Sequence, residues 1–395
     1  MTTFHIPIPG VRIRDYSYEL PDNKIAKYPL PVRHDSKLLL YRDGRVSDHV
    51  FVDLPSLLPQ ESLLVFNNSK VVPARLFFRK ETGAVIEVFC LEPASPREYI
   101  LAFSQHTSCT WYCAVGKAKK WKTGNLPLYN PQNDPKLSAL GLSASLIGQE
   151  ADRYLVRFSW TASLPFSAIL EASGRVPIPP YLKRESEDCD LERYQTIYAR
   201  KRGSVAAPTA GLHFSLKVLD DLRKRGMGIS ELTLHVGAGT FRPVKTRYIR
   251  DHIMHSEPFS VSREFLQQLI SHKGPVVSVG TTSCRCLESL YYLGLQAAGG
   301  RNPSFVGQWE PYVTPSGITY KASLEHLCTY MDREKISILD ASTQIIIAPS
   351  YRFLTTDILI TNYHQPNSTV LLLVAALTGK DGRVIYDHAM AGYYW

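Results

Sequence analysis

Val276-Val277-Ser278-Val279-Gly280-Thr281-Thr282-Ser283-Cys284-Arg285-Cys286-Leu287-Glu288-Ser289 changes character at its glycine. The run up to Gly280 reads as a buried strand. Behind it hydroxyl-bearing residues open a helix, with a Ser-rich start on Ser283 to Leu293. Three other short apolar runs, Leu63-Leu64-Val65-Phe66, Ile345-Ile346-Ile347 and Asp357-Ile358-Leu359-Ile360-Thr361, read as buried strands in the same way. Phe214 to Arg225 and Glu264 to His272 read as helices between them. This alternation predicts α/β organisation.

Between about residue 70 and residue 164 the texture changes. Val85-Ile86-Glu87-Val88-Phe89-Cys90, Tyr99-Ile100-Leu101-Ala102-Phe103 and Tyr154-Leu155-Val156-Arg157-Phe158 are strand-like, and no helical period separates them. An all-β domain inserted into the α/β one is expected. Asn125 to Pro135 reads as a surface loop, and the segment from 175 to 203, with Pro177, Pro179 and Pro180, as the return linker.

The chain has 395 residues, 44% of them hydrophobic and 21% charged, which fits two or three globular domains and excludes disorder as the main state. Lys and Arg number 45 against 36 Asp and Glu, and the net charge of +9 favours an anionic partner. Seven irregularly spaced cysteines are too few for a disulfide scaffold, so reduced thiols in the cytoplasm are expected. The N-terminal stretch carries Pro, Gly and charges where a signal peptide needs an apolar run. Val370 to Leu377, eight residues long, is far short of the ~20 that cross a bilayer. A soluble protein without a membrane partner follows.

Four motifs place polar residues just after strands. Gly203 to Phe214 joins small residues, which let a ligand approach the backbone, to Thr209 as a cap and His213 near a helix start that favours an anion. A plain strand-to-helix turn is the alternative. Leu234 to Pro243 runs a strand into a Gly-rich loop beside His235. It is no dinucleotide fingerprint, because Phe241 and Arg242 stand where the helix-packing glycine belongs. Gly280 to Ser289 places hydroxyls and N–H groups at a helix start immediately after a strand, a natural cradle for a carboxylate or phosphate, and Thr361-Asn362-Tyr363-His364-Gln365-Pro366 repeats the strand-then-polar-loop pattern. The four loops are expected to converge at one end of an α/β sheet or barrel.

Asp251 to Glu257 puts His252, His255 and Glu257 within six residues. The order lacks the HExxH arrangement, so no metal is expected, and hydrogen bonding to substrate competes with a structural His pair. Cys109 to Lys122 interleaves Lys117, Lys119, Lys120 and Lys122 with Trp111, Tyr112 and Trp121 and contains no acid. The pattern suits phosphate attraction with base stacking on RNA, or else a hairpin whose aromatic rings face a core.

Leu63 to Leu76 (LLVFNNSKVVPARL), Pro177 to Ala199 (PIPPYLKRESEDCDLERYQTIYA), GSVAAPTAGLHF, LHVGAGTFRPVK, DHIMHSE, GTTSCRCLES and TNYHQPNSTVLLLVAAL follow in that order along the chain. Together they resemble the S-adenosylmethionine:tRNA ribosyltransferase-isomerases of queuosine biosynthesis. The resemblance implies a barrel-like α/β domain of residues 1–69 and 165–395 carrying an inserted β-barrel domain of residues 70–164. It implies transfer and isomerisation of the ribosyl part of S-adenosylmethionine onto 7-aminomethyl-7-deazaguanine (preQ1) at the tRNA wobble position. Adenine and methionine leave, and the product is epoxyqueuosine-tRNA.

On that resemblance S-adenosylmethionine is a co-substrate, no cofactor is permanently bound, and the protein is a monomer. His213 and His235 are the candidate acid/base groups, and Glu257 or His255 contacts the ribose or the amine. Thr281, Thr282 and Arg285 take the methionyl carboxylate. Asn67, Arg75 and Asn362 hold the base or its phosphate, Thr209 and His364 complete the substrate site, and Trp111 with the four lysines contacts RNA. The chain departs from the family pattern at Ser350, where Gly is usual, and at Lys37 and Lys70, where Arg is usual; Lys lacks the planar bidentate grip of Arg. It also closes at Gly392-Tyr393-Tyr394-Trp395 without the family's usual last segment. A catalytically impaired paralogue that only binds tRNA is the competing expectation.

Overall fold

The structure, a computed structural model, describes residues 10–150, 153–237, 244–314 and 317–393. Most of the Gly-rich loop after His235, residues 238–243, and the closing Tyr394-Trp395 lie outside the described residues.

Seven strands form the larger sheet, in the order Phe305–Val306, Ile338–Thr343, Glu257–Ser262, Gly228–Leu234, Leu63–Asn67, Val276–Val279 and Ile358–Ile360. The last four run parallel. Glu257–Ser262 is antiparallel to both of its neighbours. Leu63–Asn67 and Val276–Val279 are buried at every position, as unbroken apolar runs require when both faces of a sheet are covered. The pleat divides them. Leu63 and Val65 join the core built on helix Thr281–Ala298, whereas Leu64 and Phe66 join the one built on helix Leu216–Lys224.

Helix Thr281–Ala298 begins earlier and ends later than the Ser283 to Leu293 reading. Its start is set by Gly280, whose φ of +93° turns the chain out of the strand. Helix Leu216–Lys224 is capped by Ser215, whose Oγ accepts the Val218 N–H at 3.3 Å. Thr209 therefore does not cap it; Thr209 opens a separate 3-10 turn, Thr209–His213.

Two strand expectations are overturned. Ile345-Ile346-Ile347 is almost fully buried but irregular: the strand stops at Thr343, the Ile346 N–H still meets the Gln308 carbonyl at 3.3 Å, and side chains take two of the carbonyls. The Ile345 carbonyl accepts from Arg285 Nε (3.1 Å) and the Ile346 carbonyl from the Tyr312 hydroxyl (3.1 Å). Tyr99–Phe103 is a short helix, with Ala102 and Phe103 packed inward and Leu101 exposed, a division that one helical turn produces.

The second sheet has six antiparallel strands, in the order Arg75–Arg79, Val85–Ser95, Ser108–Val115, Arg153–Ser159, Ser143–Glu150 and Asn125–Pro127. The last lies within what the sequence reads as a loop. A bridge between Phe78 and Leu128, with the Tyr129 N–H on the Phe77 carbonyl at 2.8 Å, nearly closes the sheet into a barrel. Burial alternates along Ser108–Val115, and Phe78, Trp111, Trp121, Phe158 and Phe166 fill the interior. Helix Phe166–Ser173 packs into the same core.

The chain enters and leaves this sheet side by side. Arg75 and Arg175 exchange backbone hydrogen bonds of 3.2 and 2.8 Å. A Cβ at Gly174 would stand 1.9 Å from the Pro73 carbonyl oxygen, so only glycine fits there. All seven cysteines are unpaired. Among the described residues no helix is long and apolar enough to cross a membrane.

Candidate active site

The four parallel strands end along one edge of the sheet, and the polar residues that follow them line that edge. Asn67 closes one strand, His235 follows Leu234, Thr281 and Thr282 follow Gly280, and Asn362 follows Ile360. The Gly280 N–H donates to the Ile360 carbonyl at 2.8 Å and joins the last two loops. No side chain caps Thr281–Ala298, so the amides of its first turn are left for a ligand group.

The turn Thr209–His213 carries His213 to Asn362, with Nε2 2.8 Å from Oδ1. On its other side Nδ1 lies 3.1 Å from Ser36 Oγ. The Asn362 carboxamide oxygen only accepts, so Nε2 carries the hydrogen and donates to it, and Nδ1, beside the Ser36 hydroxyl, is the basic nitrogen of the neutral ring. Arg33 donates to the Leu212 carbonyl at 3.0 Å and locks the turn. Burial lowers the His213 pKa, the Asn362 contact opposes the shift, and the Arg33 charge adds to it.

His235 lies flat on Tyr99, with ring centroids 4.9 Å apart and planes 14° from parallel. Tyr99 comes from the short helix attached to the six-stranded sheet, so both sheets contribute to this edge. Among the described residues His235 Nδ1 is buried without a hydrogen-bond partner. Burial pulls its pKa down to about 4, against a weaker pull from Asp340, so the ring is neutral at pH 7.

Glu257, at the start of its strand, is buried and paired with the buried Arg285 guanidinium; His255 Nε2 stands 3.2 Å from its other oxygen. Arg285 Nε is committed to Ile345. Its Nη2 is buried with no partner among the described residues, in the wall of a narrow cavity with Met254, Ile346, Thr369 and Leu373. What Arg285 offers an anion is thus one N–H edge and not the full fork. His252 and His255 lie on irregular chain and do not share a helical face.

The structure separates other expected residues from the opening. Trp111 is 1% exposed and packs edge-on to Tyr99 at 5.9 Å and against Phe103 at 5.3 Å. It belongs to the core and is not a surface on which RNA bases stack; the alternation of its strand points every second side chain inward. Lys117, Lys119, Lys120 and Lys122, on the turn beyond that strand, are exposed. Arg75 lies on the six-stranded sheet with its Nε 2.7 Å from Glu87. Asn67 is fully buried, and its amide ties strand ends, accepting from the Ser69 and Leu234 N–H groups and donating to the Leu234 carbonyl. His364 bonds Thr361 Oγ1 at 2.9 Å, and burial lowers its pKa to about 4.

Ser36 and Tyr99 have no counterpart in the sequence reading. They reach His213 and His235 across 177 and 136 residues. No local motif marks either.

Comparison with known proteins bears on this arrangement. The model of a family described as queuosine biosynthesis protein matches residues 13–395. The S-adenosylmethionine:tRNA ribosyltransferase-isomerase of Trichlorobacter lovleyi is 35% identical over 375 residues, covering 93% of this chain and 92% of the relative. That of Acinetobacter baumannii strain AYE is 36% identical over 391 residues, covering 97% and 95%. The crystal structure of the S-adenosylmethionine tRNA ribosyltransferase from Thermotoga maritima is 25% identical, covers 96% of each chain and superposes with a TM-score of 0.44. A family match that leaves out only the first twelve residues, with relatives above one-third identity along nearly their whole length, makes this chain a member of the queuosine biosynthesis protein family.

Proposed function

We propose that this protein transfers the ribosyl part of S-adenosylmethionine to the aminomethyl group of preQ1 at the tRNA wobble position and isomerises it to the epoxycyclopentanediol of epoxyqueuosine, releasing adenine and methionine. The observation that carries the reading is the convergence of His213, His235, the open first turn at Thr281 and Asn362 at one sheet edge in a chain of this family. S-adenosylmethionine is a co-substrate here. Residues 70–164 are read as an inserted β-barrel domain and the remainder as the catalytic domain.

The reaction needs three proton movements. A sulfonium acidifies the adjacent C5′ hydrogen, departing adenine takes a proton, and the attacking amine loses one. Two imidazoles held neutral by burial suit removal and acceptance of protons. His213 is the better oriented, because Nε2–H donates to Asn362 and leaves Nδ1 as the basic nitrogen beside the Ser36 hydroxyl. His235 offers an unpartnered Nδ1 to an amine or adenine N–H. Glu257, backed by Arg285, steadies His255 beside the ribose, and the amides at Thr281 and Thr282 receive the methionyl carboxylate. The exposed lysines at 117, 119, 120 and 122 meet RNA phosphates.

Incubation with S-adenosylmethionine and preQ1-bearing tRNA should release adenine and add mass to the wobble nucleoside. Folded protein that retains tRNA but releases no adenine would instead be a binding-only paralogue. With chemistry limiting, His213→Ala should lower turnover by about 10²-fold or more, and a value close to the parent's removes His213 from acid/base work.

A further inference from the structure

The strap that follows the undescribed loop, Val244 to Asp251, carries a basic surface that the reaction does not use. Its two apolar residues face inward: Val244 and Ile249 are buried in the main core. The Val244 N–H donates to the Asn367 carbonyl at 2.8 Å, so the strap is fastened to the loop that also carries Asn362. Ile249 N–H to Val11 (3.0 Å) and Ile13 N–H to Arg247 (3.3 Å) lay it against the N-terminal segment. What is left outside is Lys245, Arg247 and Arg250, all exposed, with Arg12 beside them.

Three guanidinium groups gather on one ring. Arg250, Arg247 and Arg12 lie 5.0, 5.4 and 5.8 Å from the centroid of Tyr248. Cation–π attraction holds each in place, yet like charges brought this close repel one another. Arg250 leans on Asp251 at 3.8 Å, whereas no ion pair is found for Arg12, Lys245 or Arg247 among the described residues. A cluster of forked cations, of which Arg250 alone has an acidic neighbour among the described residues, is complementary to the closely spaced oxygens of a polyphosphate backbone.

We infer that the Tyr248 strap is a second contact surface for the tRNA, gripping sugar-phosphate backbone outside the reacting nucleotide. The inference rests on the proposed function for the identity of the RNA. The strap is tied through Val244 to the loop that carries Asn362, so backbone seated on it is held beside that loop. It is a surface separate from the Lys117 turn of the six-stranded sheet, and the two together give the RNA a wider footing than either alone.

The test is binding of preQ1-bearing tRNA by the full chain across a KCl series. Arg12→Gln/Arg247→Gln should weaken binding roughly tenfold or more at 0.1 M KCl and reduce the salt slope by about 1.4–1.8, two phosphate contacts' worth. KM for S-adenosylmethionine and kcat at saturating tRNA should hold, which also reports an intact fold. Arg223→Gln/Lys224→Gln, on the exposed face of helix Leu216–Lys224, removes the same charge elsewhere and should leave the slope unchanged. A strap variant that binds like the parent, or a control that weakens binding equally, overturns the inference. So does loss of capture by anionic vesicles with tRNA binding intact, which would assign the surface to a membrane. Failure of the parent itself to bind tRNA overturns the proposed function, a result separable from failure of the strap variant alone.

Discussion

The six-stranded sheet and the seven-stranded sheet treat polar groups in opposite ways. Between residues 75 and 159 no polar or charged residue of the described chain is buried, and the interior is a lattice of aromatic rings. At the ends of the larger sheet and on the helix behind it, Asn67, Ser69, Ser204, Glu257, Arg285 and Glu288 are all buried, each with hydrogen-bond partners. Glu288 alone receives the Tyr351 hydroxyl and the N–H groups of Leu354, Thr355 and Thr356. Dry packing gives a shape that holds itself. Satisfied buried polarity gives groups fixed in position, at the risk of a large penalty when one partner is lost. The sheet with the buried polar groups is the one that carries the candidate chemistry, and the other lends it a single ring, Tyr99.

The contrast can be broken first at the dry core. Trp111→Ala should cost about 3–5 kcal/mol in urea unfolding, while tRNA binding by the folded fraction stays near the parent's. A selective loss of binding at unchanged stability would return Trp111 to the RNA surface. At the polar end, Arg285→Met should cost about 3 kcal/mol or more by leaving Glu257 buried and uncompensated, and Arg285→Met/Glu257→Leu should recover most of it. If the double variant is no better than the single, the pair is not the unit described.

The third test is pH. His235 and His364 both titrate near 4 in the folded chain, below the ordinary 6.5, so the unfolded chain binds more protons between those values. Their contribution is complete above about pH 6.5 and is lost as pH falls toward 4, with a slope of up to about two protons. Unfolding midpoints across that window should show this decline, and His364→Gln should flatten it by about one proton. The smallest expected effect is a gain. Ser350 has φ of +85°, where glycine is favoured, and Ser350→Gly should stabilise by about 1 kcal/mol in the same unfolding assay.

Elements whose apolar pattern is local were legible. Leu63 to Phe66 and Val276 to Val279 announced buried parallel strands because a strand covered on both faces has no polar positions to interrupt it. Ile345 to Ile347 has the same look, yet it reports burial and not a regular strand, with the Ile345 and Ile346 carbonyls taken by Arg285 and Tyr312. Tyr99 to Phe103 was misread because five residues are too few to separate a two-residue period from one helical turn. At the site, the strand-end positions of His235, Thr281 and Asn362 followed from the motifs. The Ser36 contact on the other side of His213 did not, since it depends on how an N-terminal segment is laid across the fold. The sequence assigns Asn67 to ligand, although its amide oxygen and one of its N–H groups are held by main chain, a distinction that hydrogen-bond geometry alone makes.

The paired crossing at Arg75 and Arg175, closed over Gly174, has a consequence for how this chain tolerates change. Departure and return are neighbours, tied by the two backbone bonds between Arg75 and Arg175, and on the proposed domain division the stretch between them is a detour with its ends already spliced. Hairpins there can lengthen or shorten without shifting the register of the parallel strands. Such freedom stops at the splice itself, where a single methyl group at residue 174 would prise the two passes apart, and at Tyr99, which reaches His235.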